Sequence, residues 1–231
     1  VRDGPIRELL PEAIAVQIPQ ELSVHVQHLG GLLRGTLQAP HVITDVNILG
    51  RYDELPFAIY GNANASLAHA DINQLTVEVD DASLKLDGLI DWKSNQTALS
   101  GRVRHLSPAL AYRYGLNFPP GLVGFLNARW ELSGALAKPA VVIDALYQGG
   151  YEHQTEVLPF NLALDASAQL GTLDEIALDV NLLNLAVFKR PLVTMKGRVN
   201  ARDNDFRVVV SRLPVKLLEA LGYPVGEGRA E

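Results

Sequence analysis

Apolar and polar residues alternate along most of this chain. The pattern is plain in Leu22-x-Val24-x-Val26, Leu55-x-Phe57-x-Ile59, Leu75-x-Val77-x-Val79 and Leu84-x-Leu86-x-Gly88-x-Ile90-x-Trp92. It returns in Leu126-x-Ala128-x-Trp130-x-Leu132, Phe160-x-Leu162-x-Leu164, Ile176-x-Leu178-x-Val180-x-Leu182 and Phe206-x-Val208-x-Val210, with polar residues such as Lys85, Asp87, Arg129 and Asp179 in between. Successive side chains leave a pleated strand on opposite faces, so each run predicts a strand with one apolar and one wet face. The runs recur at the spacing of an antiparallel meander. Turns are expected at Gly30-Gly31, Asp80-Asp81, Gly149-Gly150 and Asp203-Asn204, where small or αL-tolerant residues cluster.

Two stretches depart from this period. Ser107-Pro108-Ala109-Leu110-Ala111-Tyr112-Arg113-Tyr114-Gly115 offers an N-cap serine, a proline at the first helical position and a stop glycine. Pro214 to Gly222 repeats the arrangement, so each predicts a helix of about two turns. These segments sit at matching places in an internal repeat: Val103–Leu106, Leu110 and Gly115 match Val210–Leu213, Leu217 and Gly222 at an offset of 107. Upstream, Leu86-x-Gly88-x-Ile90 matches Met195-x-Gly197-x-Val199, and Leu75-x-Val77-x-Val79 is matched with Ile176-x-Leu178-x-Val180. Gly35-x-Leu37-x-x-Pro40 followed by Asp45 matches Gly134-x-Leu136-x-x-Pro139 followed by Asp144 at an offset of 99. The expected organisation is a strand-containing lead-in over 1–21 that ends a preceding repeat, a first β repeat over 22–120 and a second over 121–231. Each repeat is expected to end in a short helix, the second with a truncated tail.

A shorter signature also recurs, at Leu33-x-Gly35-x-Leu37, Leu86-x-Gly88-x-Ile90, Leu99-x-Gly101-x-Val103, Leu132-x-Gly134-x-Leu136 and Met195-x-Gly197-x-Val199. Glycine between two aliphatics permits a bend, a bulge, or close approach of backbone or cargo.

Composition narrows the partners. The chain has 231 residues, enough for a sizeable core, and 48% are apolar but only 6% aromatic, so the apolar material is aliphatic. A net charge of −6 is spread along the chain without a Lys/Arg stripe, which argues against nucleic acid. Cysteine is absent, so disulfides, thiolate metal sites and thiol catalysis are excluded. No apolar run approaches the ~18–20 residues that span a bilayer, and no signal peptide opens the chain. The start, Val1-Arg2-Asp3-Gly4, has no methionine; both ends are expected to be cuts in a longer chain.

Catalytic and metal motifs are missing. His25, His28, His41, His69, His105 and His153 form no H-E-x-x-H pair or close cluster with carboxylates on one strand face, and His25 is expected to be solvated. No metal or other cofactor is expected. Phosphate loops and nucleophile elbows are also lacking. Asp45, Asp91, Asp144 and Asp179 are the carboxylates that a glycosidase-like pair would draw on. Asp45 and Asp144 are repeat-equivalent, however, which favours a structural role. The sequons Asn64-Ala65-Ser66 and Asn95-Gln96-Thr97 occur at chance frequency, and Arg102/Arg104 and Lys189-Arg190 read as solvated strand or turn positions.

The L-x-G-x-L units, the G-x-L-x-x-P-x-x-x-x-D segments, the run ending Ile90-Asp91-Trp92 and the Leu106-Ser107-Pro108 helix start together resemble the repeats of the TamB family and its AsmA-like relatives. The resemblance covers nearly the whole chain. It implies a β-taco, an elongated antiparallel-rich sheet folded into a U, apolar inside and polar outside. It further implies phospholipid transport between inner and outer membranes and/or outer-membrane protein assembly, without enzymatic activity. The family setting is the periplasm, with a parent chain anchored in the inner membrane of a Gram-negative-type cell and an Omp85-type, TamA-like barrel as partner. The anchor and the partner-binding region are not within this sequence, so contact with the barrel is expected through other parts of the parent chain.

On this reading a hydrophobic groove is lined by Leu75, Val77, Val79, Leu84, Leu86, Ile90, Trp92, Leu126, Trp130, Leu132, Leu162, Leu164, Ile176, Leu178 and Val180. Such a wall has no polar groups to desolvate, so phospholipid acyl chains enter at little polar cost. Alternation alone serves equally for the dry core of one or two β-sandwiches. The recurrent small residues and scarce aromatics favour the groove. A ligand-free tandem β-repeat, such as a stalk or adhesin, is the competing function, and a carbohydrate-active enzyme on a β-scaffold is a third.

Overall fold

The structure is a computed structural model that describes residues 22–36, 39–52, 54–113, 119–153, 156–170, 177–200 and 204–211. These form twelve strands and one short helix: β1 (Leu22–Thr36), β2 (Ala39–Tyr52), β3 (Leu55–Ser66), β4 (His69–Val79), β5 (Ala82–Asp91) and β6 (Gln96–Leu106), then α1 (Pro108–Arg113). There follow β7 (Leu122–Ala135), β8 (Ala140–His153), β9 (Glu156–Gln169), β10 (Ala177–Val187), β11 (Arg190–Asn200) and β12 (Asn204–Val210). Strands neighbouring in sequence neighbour in one open antiparallel sheet, in the order β1 to β12. The chain is therefore all-β, as the alternation predicts.

Two compact units divide it. One holds β1 to β6 as far as His105, with Trp130–Pro139; the other holds Leu106–Arg129 and β8 to β12.

Within the first unit, cross-strand pairing sorts side chains cleanly by face. Phe57 faces Val79 and Ile59 faces Val77 across β3/β4; Val77 faces Leu84 and Leu75 faces Leu86 across β4/β5; Leu84 faces Val103 and Leu86 faces Gly101 across β5/β6. The intervening pairs, Ala58 with Glu78, Thr76 with Lys85 and Lys85 with Arg102, carry the polar groups. From β2 to β6 the paired residues of the first face include no Asp, Glu, Lys or Arg, and their hydroxyls are those of Thr44, Tyr52 and Thr97. The second unit sorts its pairs in a similar way, with Tyr147 facing Leu162, Leu162 facing Leu185 and Leu185 facing Val193, while Asp144 faces Asp165 and Asp179 faces Arg198 on the other side; Glu156, paired with His153, stands at the end of the apolar face.

The repeat is a six-strand period. The matched segments fall on β1/β2 and β7/β8, on β5 and β11, and on β6 and β12, always six strands apart. One pairing from the sequence is corrected. β4 carries a bulge between Ile72 and Leu75 against β5, and β10 carries one between Val180 and Leu183 against β11. The bulges coincide only if Leu75 is equivalent to Leu183, not Ile176. The β10 bulge also overturns the expected inward Leu182, which pairs with Asp165 on the polar side while Leu183 faces Leu164. An extra residue in a strand of period two flips everything beyond it.

Two expected turns are corrected as well. Asp80-Asp81 does turn between β4 and β5, with Asp80 at φ 52°. Gly30-Gly31 and Gly149-Gly150 instead lie within β1 and β8, paired with Asp45, Thr44, Phe160 and Pro159. Gly149 serves close approach, because a Cβ there would collide with the Val123 carbonyl. Asp203 lies outside the described residues, and Asn204 opens β12. The expected helix at Ser107 is present, whereas Gly115 and the segment Pro214–Gly222 lie outside the described residues.

Candidate functional site: an apolar pocket beneath the helix

The second unit contains a pocket of about 310 Å³ between α1 and the apolar sheet face, lined by Leu106, Ser107, Pro108, Ala111, Leu122, Leu126, Tyr147, Phe160 and Leu162. Its roof forms by local rules. The Ser107 Oγ accepts from the Leu110 amide at 3.1 Å and the Ser107 carbonyl accepts from the Ala111 amide at 3.0 Å, an N-cap followed by proline at the first helical position. Leu110 and Ala111 are buried beneath the helix, while Tyr112 points to solvent.

The floor comes from β7, β8 and β9. Tyr147 and Leu162 are direct cross-strand partners. The rings of Tyr147 and Phe160 stack with centroids 5.4 Å apart. Phe160 in turn lies opposite Gly149, where an added Cβ would meet the Tyr147 ring at 3.0 Å. At Gly124, φ is 131°, and a Cβ would collide with the Gln148 carbonyl, so glycine is needed for β7 to approach β8.

The polar atoms of the lining are already engaged. The Tyr147 hydroxyl donates to the Val123 carbonyl at 2.8 Å, and Ser107 is spent on its cap. Burial also pushes the Tyr147 phenol pKa up, so it stays a neutral donor. A guest is therefore met by carbon, and the volume lies at the lower end of the ~300–1,000 Å³ typical of ligand pockets.

Of the fifteen residues expected to line a groove, the pocket gathers Leu126 and Leu162. Val180 is buried; Leu84 and Trp92 are exposed; Leu75, Val77, Val79, Leu86, Ile90, Trp130, Leu132, Leu164 and Leu178 are half-buried like Leu126 and Leu162; and Ile176 lies outside the described residues. In the first unit the Trp130 ring occupies the space over Gly101, so that indole covers a neighbouring strand. Sequence reasoning missed Leu106, Pro108, Ala111, Leu122 and Tyr147 and did not place Phe160 in the site. A usable signal was present, because Leu158-Pro159-Phe160 repeats Leu55-Pro56-Phe57, and in both copies the Phe pairs with a glycine, Gly149 or Gly50.

The polar face carries ordinary surface chemistry. Arg198 grips Asp179 through two hydrogen bonds, of 2.5 and 3.1 Å, which lowers the Asp179 pKa. His41 bonds Asn64, and His69 lies 3.9 Å from Asp71. Among the described residues no group of three potential ligands could hold a metal ion. Asp144 and Asp165 face each other, with Asn181 donating to Asp165 at 2.9 Å, on a face where both carboxylates are exposed. No described helix is long and apolar enough to cross a membrane, which says nothing about strands. Comparison with protein-family models, curated proteins and solved structures found no match.

Proposed function

We propose that this chain is a non-enzymatic, lipid-handling segment whose apolar sheet face shelters acyl chains. The observation that carries the reading is the sorting of cross-strand pairs, with Leu75, Leu86, Tyr147, Leu162 and Leu185 on one side and Lys85, Arg102, Asp144 and Asp179 on the other. Each methylene taken from water onto such a face contributes about 0.8 kcal/mol. With no polar group to fix a position, a chain is held along the face yet free to slide.

The proposal includes the finer architecture that the TamB resemblance implies, a sheet curled into a U around this face. It also includes the setting: a periplasmic stretch of an inner-membrane-anchored protein, moving phospholipid between membranes and/or assisting outer-membrane protein assembly with an Omp85-type barrel. The test is a photo-crosslinker placed on either face in the presence of phospholipid vesicles. Probes at Leu86 or Leu178 should capture lipid and probes at Lys85 or Asp179 should not; equal capture from both faces would sink the reading.

The six-strand period favours a second reading, a ligand-free structural repeat, since such a period serves a stalk as well as a conduit. Native mass spectrometry of the chain purified from cells discriminates. Bound phospholipid supports the conduit, and a bare chain supports the stalk.

A further inference from the structure

The turns at one end of the first unit differ in character from those at the other. Antiparallel pairing sets Ala65 beside Ala70 and His69 beside Asp91, so the β3/β4 turn (Leu67, Ala68) and the β5/β6 turn (Trp92 to Asn95) lie side by side. The β7/β8 turn joins them, because the Leu136 amide donates to the Asn95 carbonyl at 3.1 Å. These three turns contain Lys93 and Lys138 and no Asp or Glu. The carboxylates at the adjoining strand ends are engaged: Asp91 accepts from the Ser94 amide at 2.8 Å, and Asp71 lies 3.9 Å from the His69 ring. At the opposite end, the β2/β3 and β4/β5 turns carry Glu54, Asp80 and Asp81, with Arg51 as a neighbouring cation. In a chain of net charge −6, the Lys93 end is therefore the one that an anionic surface meets with least repulsion.

Two large apolar side chains stand out at this same end. Leu67 is 66% exposed and Trp92 45%. Both are held in place. The Trp92 and Lys93 amides donate to the Ala68 carbonyl at 3.0 and 3.2 Å, and the indole Nε1–H donates to the Leu67 carbonyl. An indole whose N–H is already bonded within the protein enters an apolar layer without leaving a donor unpaired. Its fixed position also reduces the entropy lost on binding. Tryptophan and an aliphatic side chain beside lysine make an interfacial anchor, with the ring at headgroup level and the ammonium among lipid phosphates.

We propose that this rim of turns rests on the surface of an anionic phospholipid bilayer, with Leu67 and the Trp92 ring at the boundary of headgroups and acyl chains and Lys93 among the phosphates. The contact is with a membrane surface, and it holds whether or not the sheet face takes up acyl chains.

The chain has two tryptophans, so Trp130→Phe leaves Trp92 as the sole indole reporter. Vesicles of phosphatidylcholine with about one-third phosphatidylglycerol should shift its emission to the blue and carry the full-length chain down on sedimentation, whereas phosphatidylcholine alone should bind several-fold more weakly. Lys93→Gln should weaken binding to the anionic vesicles about fivefold, the loss expected for one basic residue near such a surface. Leu67→Gln should weaken it about tenfold with unchanged circular dichroism. If Trp130→Phe unfolds the chain, sedimentation of Leu67→Gln against the parent decides. No blue shift, or equal binding to both vesicles, would overturn the proposal. So would a blue shift produced by chain concentration alone, which would assign the patch to a second copy. Monomeric short-chain phospholipid offers acyl chains without a bilayer surface and should still label a crosslinker at Leu86 in the Leu67→Gln chain, so failure at the rim and failure of the sheet face are distinguishable.

Discussion

The phenol of Tyr147 bonds the carbonyl of Val123 at 2.8 Å, tying the middle of β8 to the beginning of β7 under the helix roof. The ring and the hydroxyl therefore have separable roles. Tyr147→Phe should keep the pocket and lose one neutral hydrogen bond, about 0.5–1.5 kcal/mol. Tyr147→Ala should cost about 3–5 kcal/mol, because a buried ring and its stacking on Phe160 vanish together. Urea unfolding of the two variants checks the ratio, and near-equal losses would show that the ring contributes little.

Ser107 sets the start of the roof. Ser107→Ala should destabilise the second unit by about 0.5–2 kcal/mol, while Ser107→Asp, which retains the cap acceptor, should stay close to the parent. Thermal melts of the three proteins separate a cap from a packing role, since aspartate preserves only the former.

Much of this fold was legible in the chain, and the reason is local. A period of two needs only neighbouring residues to be read, and the Ser107-Pro108 start carries its own capping chemistry. What could not be read was where a strand slips. The bulge that sends Leu182 to the polar side and brings Leu183 inward leaves no mark on an apolar Leu-Leu pair, because either residue satisfies the pattern. The glycines misled for a related reason. Gly149-Gly150 has turn composition, but its use is decided by the Val123 and Leu158 carbonyls, which come from other strands. The pocket was half-legible. Leu126 and Leu162 follow from alternation, whereas Pro108 and Ala111 reach the site only because α1 folds back onto the sheet.

Glycines at close approaches and glycines in open strand should respond oppositely. Gly149→Val should lose about 1–3 kcal/mol through forced separation of β7 and β8. Gly31→Ala meets nothing within 4 Å and should gain about 0.4–1 kcal/mol by restricting the unfolded chain. Chemical denaturation midpoints of the two variants give the signs directly.

The Asp179–Arg198 pair should leave a signature at acid pH. Its hydrogen bonds from Arg198 depress the Asp179 pKa in the folded state, so the stabilisation is present above the ordinary carboxylate range and disappears as pH falls through the lowered folded value. The stability gap between the parent and Arg198→Gln should be constant near neutrality and close below the usual aspartate pKa. Added salt should narrow it, because both side chains are open to solvent. A gap independent of pH would assign the effect of Arg198 to packing.

The short helix has a final consequence for the space above the second unit's apolar face. Under the proposed lipid-handling role, a guest in the pocket over β7 to β9 would lie beneath a ceiling set by Pro108 and the small Ala111. Swapping that one methyl for a bulkier group would lower the ceiling without touching the floor, so position 111 sets the headroom of the pocket rather than the sheet beneath it.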